Sequence, residues 1–387
     1  MNALGRPGML GVLAALLVAI SAWACAPQAA PPPPSPTKGV TAPAAQPTAP
    51  APQPTAAVAT PTAAPAKPTL APAAKVETIN VGELGFMADS PFYIAFEKGY
   101  FREQGIDVKF QRFRSATDMI APLATGELQV GGGSISAGLF NALARGVGIK
   151  VIANRSRPQI PLDSNWWMVR SDLKDQIKGF ADFKGRSVNL TGPGNIVTYA
   201  LGATLLKYGM TLKDLKTEEL GAPETAAAFG RKAIDISLAI EPNATAFQEQ
   251  GIAIKLVQMT KDIGPIDVAS VMLGGKWAQE NAELAKKFAV AYLKGHRDYI
   301  IAMQKGPNRK EVVDIAIKYT ALKDPAAYEK IDWGSIPPDG YVDKESLKKT
   351  QDWFLQNAYQ QDRADIDQLV DNSYLDYANQ SLGKPKS

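Results

Sequence analysis

One cysteine, Cys25, and one histidine, His296, are the only thiol and imidazole in this chain of 387 residues. A lone thiol makes no intramolecular disulfide, and one Cys with one His falls short of the ligands of a structural zinc site, so neither a metal nor a cofactor is expected. A Ser-His-Asp triad would have to use His296, which lies in LKGHRDY within a long helical segment, with no G-x-S-x-G turn to present a nucleophile. The sequence is better supplied with groups that bind. Phe86, in GELGFMADSPF, could stack on a planar ligand or fill a core. Gly131-Gly132-Gly133 could admit a ligand to backbone amides, with Ser134 or Ser136 as hydroxyl donors, or could be a tight turn before a helix cap. Gly192-Pro193-Gly194-Asn195 reads as a backbone nest opening a helix, without the surroundings of a phosphate-binding or dinucleotide fingerprint. Arg114 and Arg155 sit at strand ends, where each could clamp a carboxylate or sulfonate or lie in solvent, and Asn154 adjoins Arg155. In Asn165-Trp166-Trp167, period-two alternation puts one ring in a cleft and the other in a core. Glu241, in AIEPN, suits amino or amide donors on a ligand, or a structural salt bridge. The candidate ligand-binding set is therefore Phe86, Arg114, Ser134, Ser136, Asn154, Trp166, Gly194, Asn195 and Glu241.

Such residues work only if the fold brings their loops together. From Glu77 onward, short apolar runs alternate with helix-length amphipathic segments: TINVGEL with SPFYIAFEKGYFREQG, IDVKFQRF with SATDMIAPLATGE, LQVGGG with SISAGLFNALARG, then VGIKVIANRS. Ser90 with Pro91 marks a helix start, Gly99 and Gly105 mark stops, and Ser115 caps the next helix. The alternation restarts after Trp166-Trp167-Met168-Val169, with GRSVNL, LKTEEL, IDISLAI and IAIKLVQM as strands. ASVMLGG follows as one more strand, and the remainder is helical. This is an α/β pattern implying parallel or mixed sheets covered on both faces. Ligands of such sheets bind beyond the carboxyl ends of the strands. That rule selects the loops 85–91, 114–117, 131–136, 154–157 and 191–198, which are the loops carrying most of the candidates.

The first 75 residues are of a different kind. Arg6, an apolar run from Met9 to Ile20 and small residues before Cys25 have the layout of an export signal over residues 1–24. The apolar run is too short to cross a bilayer, which needs about 20 residues. Ala22-Trp23-Ala24-Cys25 resembles the bacterial lipobox, in which the cysteine carries the lipid, but Ala22 and Trp23 replace its usual residues. The same triplet suits ordinary signal peptidase, which would leave a free secreted protein with an inert Cys25. Residues 25–75 then read as a lipid-anchor cysteine and a disordered tether, because 15 of the 29 prolines lie between Ala26 and Lys75 and such a composition buries no core. Arg6, Lys38, Lys67 and Lys75 precede the first acidic residue, Glu77, and the remaining basic residues equal the 38 acidic ones. A formally neutral folded part offers no basic stripe for nucleic acid.

The runs SPFYIAFEKGYFREQGIDVKF, ATGELQVGGGSISAGLFNALARGVGIKVIA and AAFGRKAIDISLAIEP, in this order, resemble the solute-binding proteins of ABC importers. The group in question binds sulfonates, taurine, nitrate and thiamine-pyrimidine precursors. The resemblance covers Glu77 to about Leu293. It implies a two-lobed type II periplasmic-binding fold with hinge crossovers and a helical C-terminal extension. Residues 76–170 plus 269–387 would form one lobe and 171–268 the other, with crossings near Trp167–Ser171 and Asp267–Met272. The expected ligand is a small organic molecule, planar and heteroaromatic, such as a pyrimidine thiamine precursor or riboflavin; alkanesulfonate, taurine or nitrate is the alternative if Arg114 and Arg155 point inward. The implied partners are an ABC permease and its ATPase, with the protein a monomer held outside the cell membrane by its lipid. A ligand-sensing receptor would look the same. A fungal relative is a pyrimidine-synthesis enzyme that uses a histidine and a cysteine-rich motif; here no cysteine follows Cys25, and His296 is far from the selected loops.

Overall fold

The computed structural model describes residues 76–192 and 194–383, so the expected export signal, Cys25 and the tether lie outside the described residues. Ten strands follow in chain order: β1 Glu77–Glu83, β2 Ile106–Arg112, β3 Val130–Ser134, β4 Ile149–Ser156, β5 Asn165–Arg170, β6 Ser187–Asn189, β7 Lys216–Glu218, β8 Ile236–Ile240, β9 Ala253–Gln258 and β10 Ala269–Gly274. They form two five-stranded sheets, ordered β2-β1-β3-β10-β4 and β7-β6-β8-β5-β9. Pairing is parallel among β1, β2 and β3 and among β6, β7 and β8, whereas β10 and β5 run antiparallel to both of their neighbours. Both sheets are thus mixed, and each contains one strand that arrived by crossing from the other lobe. The run Trp166-Trp167-Met168-Val169 is not a crossing but the middle of β5. The first crossing is therefore residues 157–164, earlier than expected, and the second is residues 259–268.

Alternation along each strand separates three apolar clusters. Val151, Met272 and Trp167 face one of them, Ile152 and Val271 the second, and Met168 the third. The first cluster runs from lobe to lobe, since it holds Leu139 and Phe140 from one side and Leu201 and Leu205 from the other. Helix Lys344–Gln356 joins these surfaces through Leu347, Trp353 and Phe354. Trp353 lies so close to helix Ile196–Leu206 that a Cβ on Gly202 would come within 2.0 Å of its indole Cζ2. The C-terminal extension therefore belongs to both lobes, not to the first alone.

The crossings are tied to each other by two buried aspartates. Asp163 of the first accepts hydrogen bonds from Thr260 N and Oγ1 of the second at 2.9 and 2.8 Å. Asp267 of the second accepts from Arg157 Nε of the first at 2.5 Å and from Asp343 N at 2.8 Å. Burial pushes both carboxyls up from the ordinary range, against the pull of these donors. A third segment lies across the pair: Ser335 N donates to Leu162 O, and Arg157 N donates to Ser335 O.

Candidate functional site

At the carboxyl ends of β1, β3, β6 and β8 the lobes enclose a chamber of about 420 Å³. Leu84, Phe86, Ile196, Leu238, Ile240 and Phe247 give it apolar walls. Ser115, Thr117, Ser134, Ser136, Thr191 and Thr225 bring hydroxyl-bearing side chains to it, and Asn165, Asn195 and Asn243 bring amides. The charged side chains on it are Arg114 and Asp118, which lie 3.8 Å apart with Arg114 95 % exposed. A volume of this size suits a drug-sized organic molecule.

The wall positions follow from local structure. Asp89 accepts from Leu84 N and Phe86 N at 3.2 and 3.0 Å, which folds the loop after β1 back and sets Phe86 at the chamber. Gly85 at φ +79° permits the turn, and a side chain there would strike the Arg112 guanidinium. Ser136 and Asn195 cap facing helices: Ser136 Oγ accepts from Leu139 N at 3.2 Å, and Asn195 Oδ1 accepts from Val197 N and Thr198 N at 2.9 and 3.1 Å. The two residues also pair with each other across the lobes, and Ala137 N donates to Gly194 O at 2.8 Å. Gly194, at φ +54° and with Ala137 3.2 Å from where its Cβ would be, is a point of contact between lobes rather than part of the chamber wall.

Of the candidates, Phe86, Arg114, Ser134, Ser136 and Asn195 reach the chamber, and four do not. Asn154 is fully buried and off the chamber wall, its backbone N–H donating to Gly340 O and its carbonyl accepting from Tyr292 Oη. Trp166 faces away, donating from Nε1 to Asp332 Oδ2 at 3.1 Å beneath the Lys255 ammonium, while Trp167 fills the core as one of the pair had to. Glu241 is buried and spent: Thr245 N and Oγ1 donate to it at 3.1 and 3.0 Å, and Lys255 pairs with it. Burial nevertheless raises its pKa, with Lys255 opposing. Gly194 serves the lobe contact. Arg155 also departs from the strand-end clamp, being 1 % exposed and paired with Asp89 at 3.0 Å.

That pair explains one glycine of the run. A Cβ on Gly132 would lie 2.1 Å from Arg155 Nη1 and 2.7 Å from the Phe92 ring, and one on Gly133 would lie 2.6 Å from Met272 and 2.7 Å from Ala116. The glycines make room for neighbouring side chains rather than for a ligand. Sequence reasoning missed Asn243, Phe247 and Thr225; the first two start and line helix Asn243–Glu249 after β8, where only Glu241 had been singled out. Among the described residues no cluster of His, Cys, Asp and Glu could hold a metal ion. His296 is buried in the core, its Nε2 donating to Pro337 O at 2.7 Å.

Two mixed α/β lobes, two crossings and an enclosed chamber at the strand ends define the two-lobed periplasmic-binding fold. The chain belongs to the NMT1/THI5 like family, whose model matches residues 88–305, more than half of its length. It is 23% identical over 306 residues to the riboflavin-binding protein RibY of Chloroflexus aurantiacus, covering 74% of this chain and 82% of that one. Among solved structures it is similar to the alkanesulfonate-binding protein SsuA from Xanthomonas axonopodis pv. citri bound to MOPS, with TM-score 0.62 and 18% identity over 77% of this chain and 99% of that one. It is likewise similar to the periplasmic nitrate-binding protein NrtA from Synechocystis PCC 6803, with TM-score 0.64 and 16% identity over 80% and 89%. The structural neighbours are mostly binding proteins, with a desulfurization enzyme among them. No helix of the described residues is long and apolar enough to cross a membrane.

Proposed function

We propose that the protein is an extracytoplasmic solute-binding lipoprotein that captures a planar heteroaromatic vitamin or precursor, of the riboflavin or pyrimidine kind, for an ABC import permease. The observation that carries the ligand class is the chamber lining: about 420 Å³ of apolar wall studded with hydroxyls and amides, its arginine at the rim beside an aspartate. An alkanesulfonate, taurine or nitrate site calls for a desolvated cation free to face the anion. Arg155, the buried arginine nearest the chamber, is already neutralised by Asp89. Binding rather than turnover also fits His296, whose imidazole is buried away from the chamber. The similarity to RibY supports the same reading.

Attachment through Cys25 and a Pro-rich tether, release from a signal over residues 1–24, a monomeric state and delivery to a permease complete the proposal on the strength of the sequence. Thermal melting tests the ligand. At 100 times its dissociation constant a ligand adds about 2.7 kcal/mol, or about 5–10 °C for a protein of this size. Riboflavin or a hydroxymethylpyrimidine should produce that rise, and taurine or nitrate none; a rise with the anions alone reverses the assignment.

A further inference from the structure

Beside the main chamber, and sharing Leu84, Phe86, Ser134, Asn165, Ile240 and Val268 with it, lies an annex of about 40 Å³. At roughly 10–15 Å³ for each water-sized position, it has room for about three small groups and none for a ring. Its wall, like that of the chamber, is mostly apolar, with Met87, Trp333 and Ile336 on it, and its polar groups are few. Ser156, Ser164 and Ser335 come to it from the end of β4, the first crossing and the C-terminal segment, and Arg155 lies at its wall. Arg155 is 1 % exposed, and its Nε and Nη1 have no hydrogen-bond acceptor, although Nη1 stands 3.0 Å from Asp89 Oδ1 as an ion pair. Both nitrogens are sealed from this space as it stands, so an acceptor there reaches them only after a small side-chain shift, and a buried guanidinium nitrogen without an acceptor is costly enough to favour that shift.

We propose that the annex takes the oxygen-bearing end of an arm carried by the ligand, a hydroxyl, carbonyl or carboxylate, with Arg155 as donor and the ring left in the main chamber. This rests on the heteroaromatic reading above and narrows it to rings with a short polar arm. Asp89 already neutralises Arg155, so a neutral hydroxylated arm is favoured over an anion. Three chain segments meet at the annex, so an arm seated there touches both crossings' surroundings and holds the lobes together.

Calorimetric titration with lumichrome, a bare tricyclic ring, and riboflavin, a closely related ring bearing a polyhydroxylated arm, tests this. The wild-type chain should bind riboflavin at least about tenfold tighter than lumichrome, the effect of one or two added hydrogen bonds. Ala88→Leu fills the annex from the turn before helix Ser90–Glu97 and leaves the Arg155–Asp89 pair in place. It should bring the two affinities within about twofold while lumichrome binding stays as it was. Ser156→Leu fills the annex from the strand side and gives the same reading if Ala88→Leu does not fold. Equal binding of both compounds by the wild type, or an unchanged ratio in the filled variants, overturns the annex. Failure of both compounds to bind the wild type overturns the annex assignment, and the heteroaromatic reading falls with it only if a hydroxymethylpyrimidine also leaves the melting temperature unmoved.

Discussion

Gly132→Ala is the substitution whose cost the structure sets most sharply. Its Cβ would lie 2.1 Å from Arg155 Nη1 and 2.7 Å from Phe92 Cε2, far inside contact distance, in a site where both neighbours are buried. The guanidinium cannot swing away without leaving Asp89, so the alanine breaks a buried ion pair as well as overpacking the floor. Overpacking costs about 1–3 kcal/mol and a buried charge left without its partner about 3–5 kcal/mol. Because the first is relieved by the second, about 3–5 kcal/mol is expected in all. At about 2–4 °C per kcal/mol, the melting temperature should fall by about 6–20 °C. Gly131→Ala is the internal control. Its Cβ would meet the tips of Leu123 and Met119 at 3.1 and 3.3 Å, side-chain ends that can yield, and the loss of unfolded-state entropy offsets part of the strain. It should cost no more than about 1 kcal/mol. Calorimetric melting of both variants, with circular dichroism to confirm folding, checks the pair. Equal losses at the two positions would refute the argument that Gly132 is cut to fit Arg155.

Three further outcomes follow from the site and its surroundings. Phe86→Ala should weaken heteroaromatic binding about tenfold or more, through lost area and stacking, while lowering the unliganded melting point less than loss of a fully buried ring would, because Phe86 is only partly buried; titration and melting separate the two effects. Glu241→Gln should lower stability by about 1–3 kcal/mol by leaving Lys255 without its carboxylate, and should leave ligand affinity unchanged, as its place outside the chamber requires. Burial lowers the His296 pKa to about 4, and the unfolded chain binds a proton there from about pH 6.5 downward. Its contribution is therefore complete above about pH 6.5 and lost as pH falls toward 4, by about 3 kcal/mol. The raised pKa values of Asp89, Asp163, Asp267 and Glu241 act in the opposite sense, so the His296 share is read as the difference in pH slope between the wild type and His296→Gln.

The α/β alternation was legible because period-two runs and helix caps are local signals, and the strands expected between Thr78 and Gly275 appear in the structure. The sheet to which each strand belongs is not local. Trp166-Trp167-Met168-Val169 reads as an apolar run in either lobe, and only its antiparallel pairing with β8 and β9 places it in the second. The same limit governs the site. Phe86, Ser134, Ser136 and Asn195 could be found because strand-end loops converge in this architecture. Glu241 could not be told from a ligand-binding residue, because Lys255, which consumes it, is 14 positions away, and nothing near Arg155 in the sequence announces Asp89, 66 positions away, as the partner that buries it. The glycine run misleads for a related reason: the groups that need the space come from other elements. Ser90 shows the boundary version, since it is the first helical residue while Asp89 takes the cap position and uses its carboxylate on the preceding loop.

The central claim is that the chamber between the lobes holds a planar heteroaromatic rather than a small anion. Native mass spectrometry of the full chain, incubated with an equimolar mixture of riboflavin, a hydroxymethylpyrimidine, taurine and nitrate, tests it most directly. The account predicts one adduct per chain with the mass of a heteroaromatic component, clearly reduced in Phe86→Ala. An adduct of taurine or nitrate alone, or no adduct from any component, would contradict it.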